Sequence, residues 1–224
     1  MLGVFRAAVA LVAISSIFLS IPVAAQNGNT LDRELTQPLG EAQAMAFELA
    51  MKLFKARDYA GAIPQFGKAI ALQPRFAVAL AERGFAYIEV GDYANAQADH
   101  DAVLALDPSS ANAWANSCWV RAVASIELNR ALELCTRSLT MDRRMATLDI
   151  RGFVHFRRGE FTDAIADYDA AIRERRNASS LFMRGVCRSH LGQKTEGARD
   201  IDVAVKLDAD VKARYARYGV SPPP

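Results

Sequence analysis

With 51% hydrophobic and 23% charged residues among its 224, the chain has the composition of one or two ordinary globular domains, which excludes a protein disordered throughout. Its 27 basic and 25 acidic residues leave a net charge of +2, far from the strongly basic balance of a nucleic-acid-binding domain, so no nucleic-acid partner is expected.

Residues 1–25 stand apart from the rest: Arg6 supplies a positive charge, residues 7–19 are apolar, and Val23 and Ala25 form a small-residue cleavage site. This is the layout of a secretory signal peptide. The apolar run of about 13 residues is shorter than the roughly 20 that a spanning helix needs. The expectation is cleavage after Ala25 and a soluble periplasmic or secreted mature chain without a spanning segment. Retention as an anchor, with Ile21 and Val23 extending the apolar span, is the alternative. Residues 26–42 are polar, contain Asn27-Gly28-Asn29 and Pro38-Leu39-Gly40, and show no period, which predicts a flexible lead-in.

From there a repeat governs the chain. In residues 77–108, Gly84 precedes Phe85, Gly91-Asp92-Tyr93 signals a turn, and the unit closes on Leu106-Asp107-Pro108. The small-residue column recurs at a step of 34 as Ala50, Gly84, Cys118 and Gly152, then at a step of 33 as Gly185. Its apolar neighbours are Met51, Phe85, Trp119, Phe153 and Val186, and turn signals recur at Asp58, Gly159 and Gly192. An all-α fold follows, with units at about 43–76, 77–110, 111–144, 145–177 and 178–210, each two short helices joined by a turn. The third unit lacks a turn glycine at 125–129 and aligns Ala131, Cys135 and Ser138 only after a one-residue insertion. The fifth has Gly197 where others have Ala, and Ala209 where others have Pro, so its second helix is expected to fray. In residues 211–224, Val211, Tyr215 and Tyr218 fall at helical spacing among Lys212, Arg214 and Arg217, which predicts a solvating cap helix ended by a Pro-rich tail.

Ala62, Phe66, Ala69 and Pro74 in the first unit, Trp114 in the third, and Ala164, Tyr168 and Ala171 in the fourth complete a pattern that resembles the tetratricopeptide repeat across about residues 43–210. The resemblance implies a right-handed superhelical stack of five helix-turn-helix units with a C-terminal cap helix. It also implies a non-enzymatic protein-binding scaffold whose first helices line a concave groove. Members that grip a C-terminal carboxylate use Lys and Asn in two groove columns. Here those columns read Phe47, Ala81, Ala115, Asp149, Phe182 and Met51, Phe85, Trp119, Phe153, Val186, so that clamp is absent.

Phe54, Ile88 and Phe156, one turn further along, extend the columns into an aromatic stripe suited to an amphipathic helix or apolar peptide, with Trp119 as the central anchor. Core packing between adjacent first helices is the competing account of such a stripe. Two other modes of association stay open. One is pairing of the chain with itself in an envelope assembly. The other is contact of the arginines at 143–144, 157–158 and 173–176 with an acidic partner or anionic surface, although interleaved acidic residues favour a solvated face.

Three Arg–Asp couples lie 16 residues apart with a turn glycine midway: Arg83 with Asp99, Arg151 with Asp167, and Arg184 with Asp200. Antiparallel helices would bring each couple level as an ion pair. The same facing argument, centred on the turn of the third unit, pairs Cys118 with Cys135 as a disulfide, which an exported protein retains. Cys187 is left as a small packed residue. His100, His155 and His190 occupy three different repeat columns, so no metal site emerges, and no nucleophile motif or phosphate loop implies an enzyme or cofactor.

Overall fold

The computed structural model describes residues 40–222. The expected signal segment, most of the lead-in and the last two prolines lie outside the described residues. Among the described residues there are eleven helices and no strand. They divide into two compact units, residues 40–113 and 114–222. No described helix is long and apolar enough to cross a membrane.

The first unit holds α1 (Glu41–Lys55), α2 (Tyr59–Leu72), α3 (Ala77–Val90) and α4 (Tyr93–Leu106). Each of these packs on its neighbour in sequence. The turns follow from their residues. Asp58 accepts a hydrogen bond from the Gly61 amide at 2.9 Å and Asp92 one from the Asn95 amide at 3.2 Å, which caps α2 and α4. Gly91, at φ 83°, ends α3 in the left-handed conformation that a side chain resists. Ala50, Ala62, Phe66 and Ala79 form the core between the first helices, with Phe47, Met51 and Phe54 packed against it.

The second unit holds α6 (Leu128–Met141), α7 (Met145–Arg157), α8 (Phe161–Glu174), α9 (Ala178–His190), α10 (Lys194–Leu207) and α11 (Val211–Ala216), together with the part of α5 (Ala111–Ala124) from Trp114 onward. Its antiparallel pairs repeat the sequential packing of the first unit. Where α5 turns into α6 there is no glycine, and Ser125 and Glu127 take up the left-handed geometry at φ 55° and 45°. Arg121 Nε reaches Glu127 Oε2 at 2.8 Å and ties this turn to the helix before it.

The small-residue column marks the closest approach of paired helices. A Cβ on Gly84 would lie 2.8 Å from the His100 ring, and one on Gly152 would lie 2.9 Å from the Tyr168 ring. His100 thus stands in the aromatic column and is fully buried, edge-on to Phe85 at 4.8 Å. In the third unit the same two columns are occupied by Cys118 and Cys135, which form a disulfide with Cα atoms 5.5 Å apart.

One expectation is corrected here. The second helix of the fifth unit does not fray: α10 runs unbroken from Lys194 to Leu207. Gly197 permits this, because a Cβ there would sit 2.7 Å from the Gly185 carbonyl oxygen, so the Gly-for-Ala exchange brings α9 and α10 closer together. The C-terminal helix is present as a cap with its polar side, Lys212, Ala213, Ala216 and Arg217, in solvent. It has six residues, and Val211, Tyr215, Tyr218 and Val220 are all buried.

Candidate functional site

The three ion-pair couples sit between the paired helices. Arg83 donates to both carboxylate oxygens of Asp99 at 2.8 Å. Arg151 meets Asp167 at 2.8 and 2.6 Å, and Arg184 meets Asp200 at 2.7 and 2.6 Å. The aspartates are buried and hydrogen bonding holds each arginine's pKa above its ordinary value. In the fifth unit the couple grows into a network, with Arg188 also on Asp200 at 2.7 Å and Arg184 on Asp169 at 2.6 Å. In the third unit, where Ser117 and Leu134 replace the couple, Arg121 donates to the Ser117 hydroxyl at 2.8 Å. These groups partner one another across the helix pair.

Several of the arginines in the three runs pair with acids close by. Arg158 pairs with Glu160 at 2.7 Å, Arg143 approaches Glu174 at 3.7 Å, and Arg144 bonds Asp142. Arg157 turns the other way: its guanidinium lies 4.8 Å over the Phe153 ring and donates to the Tyr218 carbonyl.

His155, Glu160 and Asp163 bring three potential metal ligands within 4.8 Å. The Glu160 oxygens, however, already accept from Arg158 and contact His155 Nδ1 at 2.7 Å, and these contacts hold its pKa down to about 2. His190 stacks on Phe161 at 4.5 Å. Burial pushes the Cys187 thiol up to about 12, where it is unreactive.

The aromatic stripe is not uniform. Phe47, Met51 and Phe54 are half-buried in the core of residues 40–113, and Phe85 and Ile88 are buried in the same unit. In residues 114–222, Trp119 of α5, Phe153 of α7, and Phe182 and Val186 of α9 are also buried, with Phe156 half-buried beside Phe153. The chain's own C-terminal segment covers the three rings. Tyr218 lies edge-on to Trp119 at 5.5 Å, Tyr215 stacks on Phe182 at 5.4 Å, and both tyrosines lie within 6.5 Å of Phe153.

Beside these rings, Asp149 belongs to the same repeat column as Phe182 and accepts from the Ser180 hydroxyl. Its Oδ2 has no hydrogen-bond partner among the described residues, and neither does Trp119 Nε1. Burial raises the Asp149 pKa to about 7. Sequence reasoning missed the role of Tyr215 and Tyr218. Their signal was the apolar side of the spacing 211, 215, 218, which marks a buried face as readily as a cap.

Helix pairs stacked at this interval, with small residues at the crossing and an aromatic opposite, agree with the model of one family, the tetratricopeptide repeat, which matches residues 152–211. That stretch carries tetratricopeptide repeats. None of the curated proteins matches the sequence. Among solved structures, TTC0263, a thermophilic tetratricopeptide protein of Thermus thermophilus, is 19% identical. The alignment covers 79% of this chain and 98% of that one, with a TM-score of 0.67. A tetratricopeptide repeat protein of Parabacteroides merdae is 18% identical, over 80% and 71% of the two chains, with a TM-score of 0.66. MamA is 20% identical, over 83% and 100%, with a TM-score of 0.58. At such identities the likeness is one of fold. Tetratricopeptide units act as protein-interaction modules, and this is the class of function the fold indicates.

Proposed function

We propose that the chain is an exported, non-enzymatic scaffold that binds an amphipathic helix or apolar peptide segment on the face formed by its first helices, with Trp119, Phe153 and Phe182 as anchors. One observation carries this reading. Three rings from three successive first helices converge on the aromatic face of a single short segment, so the face has the spacing and chemistry to receive a helix. The absence of Lys and Asn from the two groove columns argues against carboxylate capture, and the dispersal of the arginines among local acids argues against a binding mode led by charge.

Apolar burial is insensitive to screening, so partner capture should survive about 0.5 M salt, a concentration at which the Debye length is only about 4 Å. The test is affinity capture from the native cell envelope with the wild-type chain and with Trp119→Ala, with helix content checked by circular dichroism. Capture lost at high salt in the wild type, or retained by Trp119→Ala, rejects the aromatic face as the site. Export is tested on protein from the native host: an intact mass that begins at Gln26 supports it, and one that still includes Met1 rejects it.

A further inference from the structure

We infer that the C-terminal segment, residues 211–220, is a built-in occupant of the binding face. It mimics the partner, and the partner must displace it. The inference rests on the reading above that this face binds a helix, and it specifies the ligand: a short helix with an aliphatic residue followed, four and seven positions on, by two aromatic rings.

The segment is seated as a ligand is seated. Val211, Tyr215, Tyr218 and Val220 are buried, while Lys212, Ala213, Ala216 and Arg217 are exposed, so one face is inserted and the other faces solvent. Its two rings reach all three anchors, Tyr215 on Phe182 and Phe153, and Tyr218 on Trp119 and Phe153. Polar contacts hold its edges: Arg157 donates to the Tyr218 carbonyl, and Arg214 lies 3.4 Å from the Ser179 hydroxyl.

The same segment is also built to leave. Its helix has six residues, too few to persist in water without the face it packs on. A three-residue junction, Asp208 to Asp210, joins it to α10, and Gly219 at φ 71° ends the docked turn. Most tellingly, it satisfies the site incompletely. Trp119 Nε1, a donor, and Asp149 Oδ2, an acceptor, are buried under or beside it without partners among the described residues. Each unmet buried polar group is a cost that a better ligand removes. A partner helix that keeps the two rings, and adds an acceptor for Trp119 and a donor for Asp149, gains what the tethered segment lacks. Tethering supplies the opposing term, an effective concentration on the order of millimolar, which screens out weaker apolar peptides.

The test uses the full-length chain and a labelled synthetic peptide with the sequence of residues 209–222, followed by fluorescence polarisation. Tyr218→Ala in the protein should bind this peptide at least ten-fold more tightly than the wild type does. A peptide with both tyrosines replaced by alanine should not bind. Equal binding by wild type and Tyr218→Ala, binding by neither, or equal binding of both peptides overturns the inference. If Tyr218→Ala loses helix content, the wild type is measured instead by hydrogen exchange. Excess peptide should then speed exchange of the amides of residues 215–220 several-fold, and unchanged exchange overturns the inference. A wild-type dimer that the peptide dissociates would seat the segment on a second copy and equally overturn the intramolecular arrangement. The functional reading fails separately: peptide binding as expected, with partner capture unchanged in Trp119→Ala, rejects that reading and keeps the displaceable segment.

Discussion

Glu82 is 1% exposed on α3, and burial raises its pKa to about 7 against a nearby Lys55 that lowers it. The corresponding positions in the next units, Asn116, Ile150 and Met183, are buried as well, so burial belongs to the column and not to this residue alone. A carboxyl whose folded pKa is raised binds its proton more tightly in the native state. Its stability contribution is therefore fully present below about pH 4.5 and is lost as pH rises through about 7. Asp149, raised from 3.8 to about 7, acts in the same direction. Stability should fall between about pH 5 and 8, and Glu82→Gln should remove a part of that fall on the order of 3 kcal/mol. Chemical denaturation at the two pH values checks this; an unchanged pH dependence in Glu82→Gln refutes it. Among the ion pairs, Asp200 accepts from both Arg184 and Arg188. Asp200→Ala should accordingly cost about 2 to 3 kcal/mol, more than Asp99→Ala, because it removes the contacts of two arginines, leaving Arg188 without a carboxylate and Arg184 with Asp169 alone. Urea midpoints of the two variants decide the order.

At the scale of the helix pair, the small-residue column and the residue opposite it act as one device. Gly84→Ala would press a methyl onto His100, so a loss of about 1 to 3 kcal/mol is expected, with a second change, His100→Ala, recovering part of it. Thermal unfolding of the two single variants and the double variant measures the coupling, and strict additivity would show that the contact is not the cause. In the third unit the crossing is covalent. The disulfide joins residues 17 apart, and Cys135→Ser should cost about 3 kcal/mol, or roughly 10 °C in Tm. A change under about 2 °C would mean that packing alone holds α5 to α6. For α11 the relevant quantity is ring burial. Tyr215→Ala should destabilise residues 114–222 by about 3 kcal/mol, since it removes the ring stacked on Phe182.

Stability in a repeat array accumulates from contacts between neighbours, so each crossing matters locally. That locality is why so much was legible. The step of 34 residues, the turn residues and the small column determined an all-helical chain of paired helices, because every unit meets the same neighbours and therefore needs the same residue types at the same places. The Arg–Asp couples and the two cysteines were readable for the same reason: antiparallel helices about a known turn place residues 16 or 17 apart face to face. What the period cannot encode is anything that occurs once. The C-terminal segment has no counterpart in the other units, so its tyrosines gave only an amphipathic spacing, compatible with a cap in solvent or a segment inserted on rings. Its docking was decided by tertiary structure. Trp119, Phe153 and Phe182 are distant in sequence and converge only when α5, α7 and α9 are packed, and it is that convergence that buries Tyr215 and Tyr218. Burial of Glu82 and Asp149, and hence the sign of the pH dependence, was decided in the same way, because desolvation depends on which neighbours close over a carboxyl rather than on the residue itself.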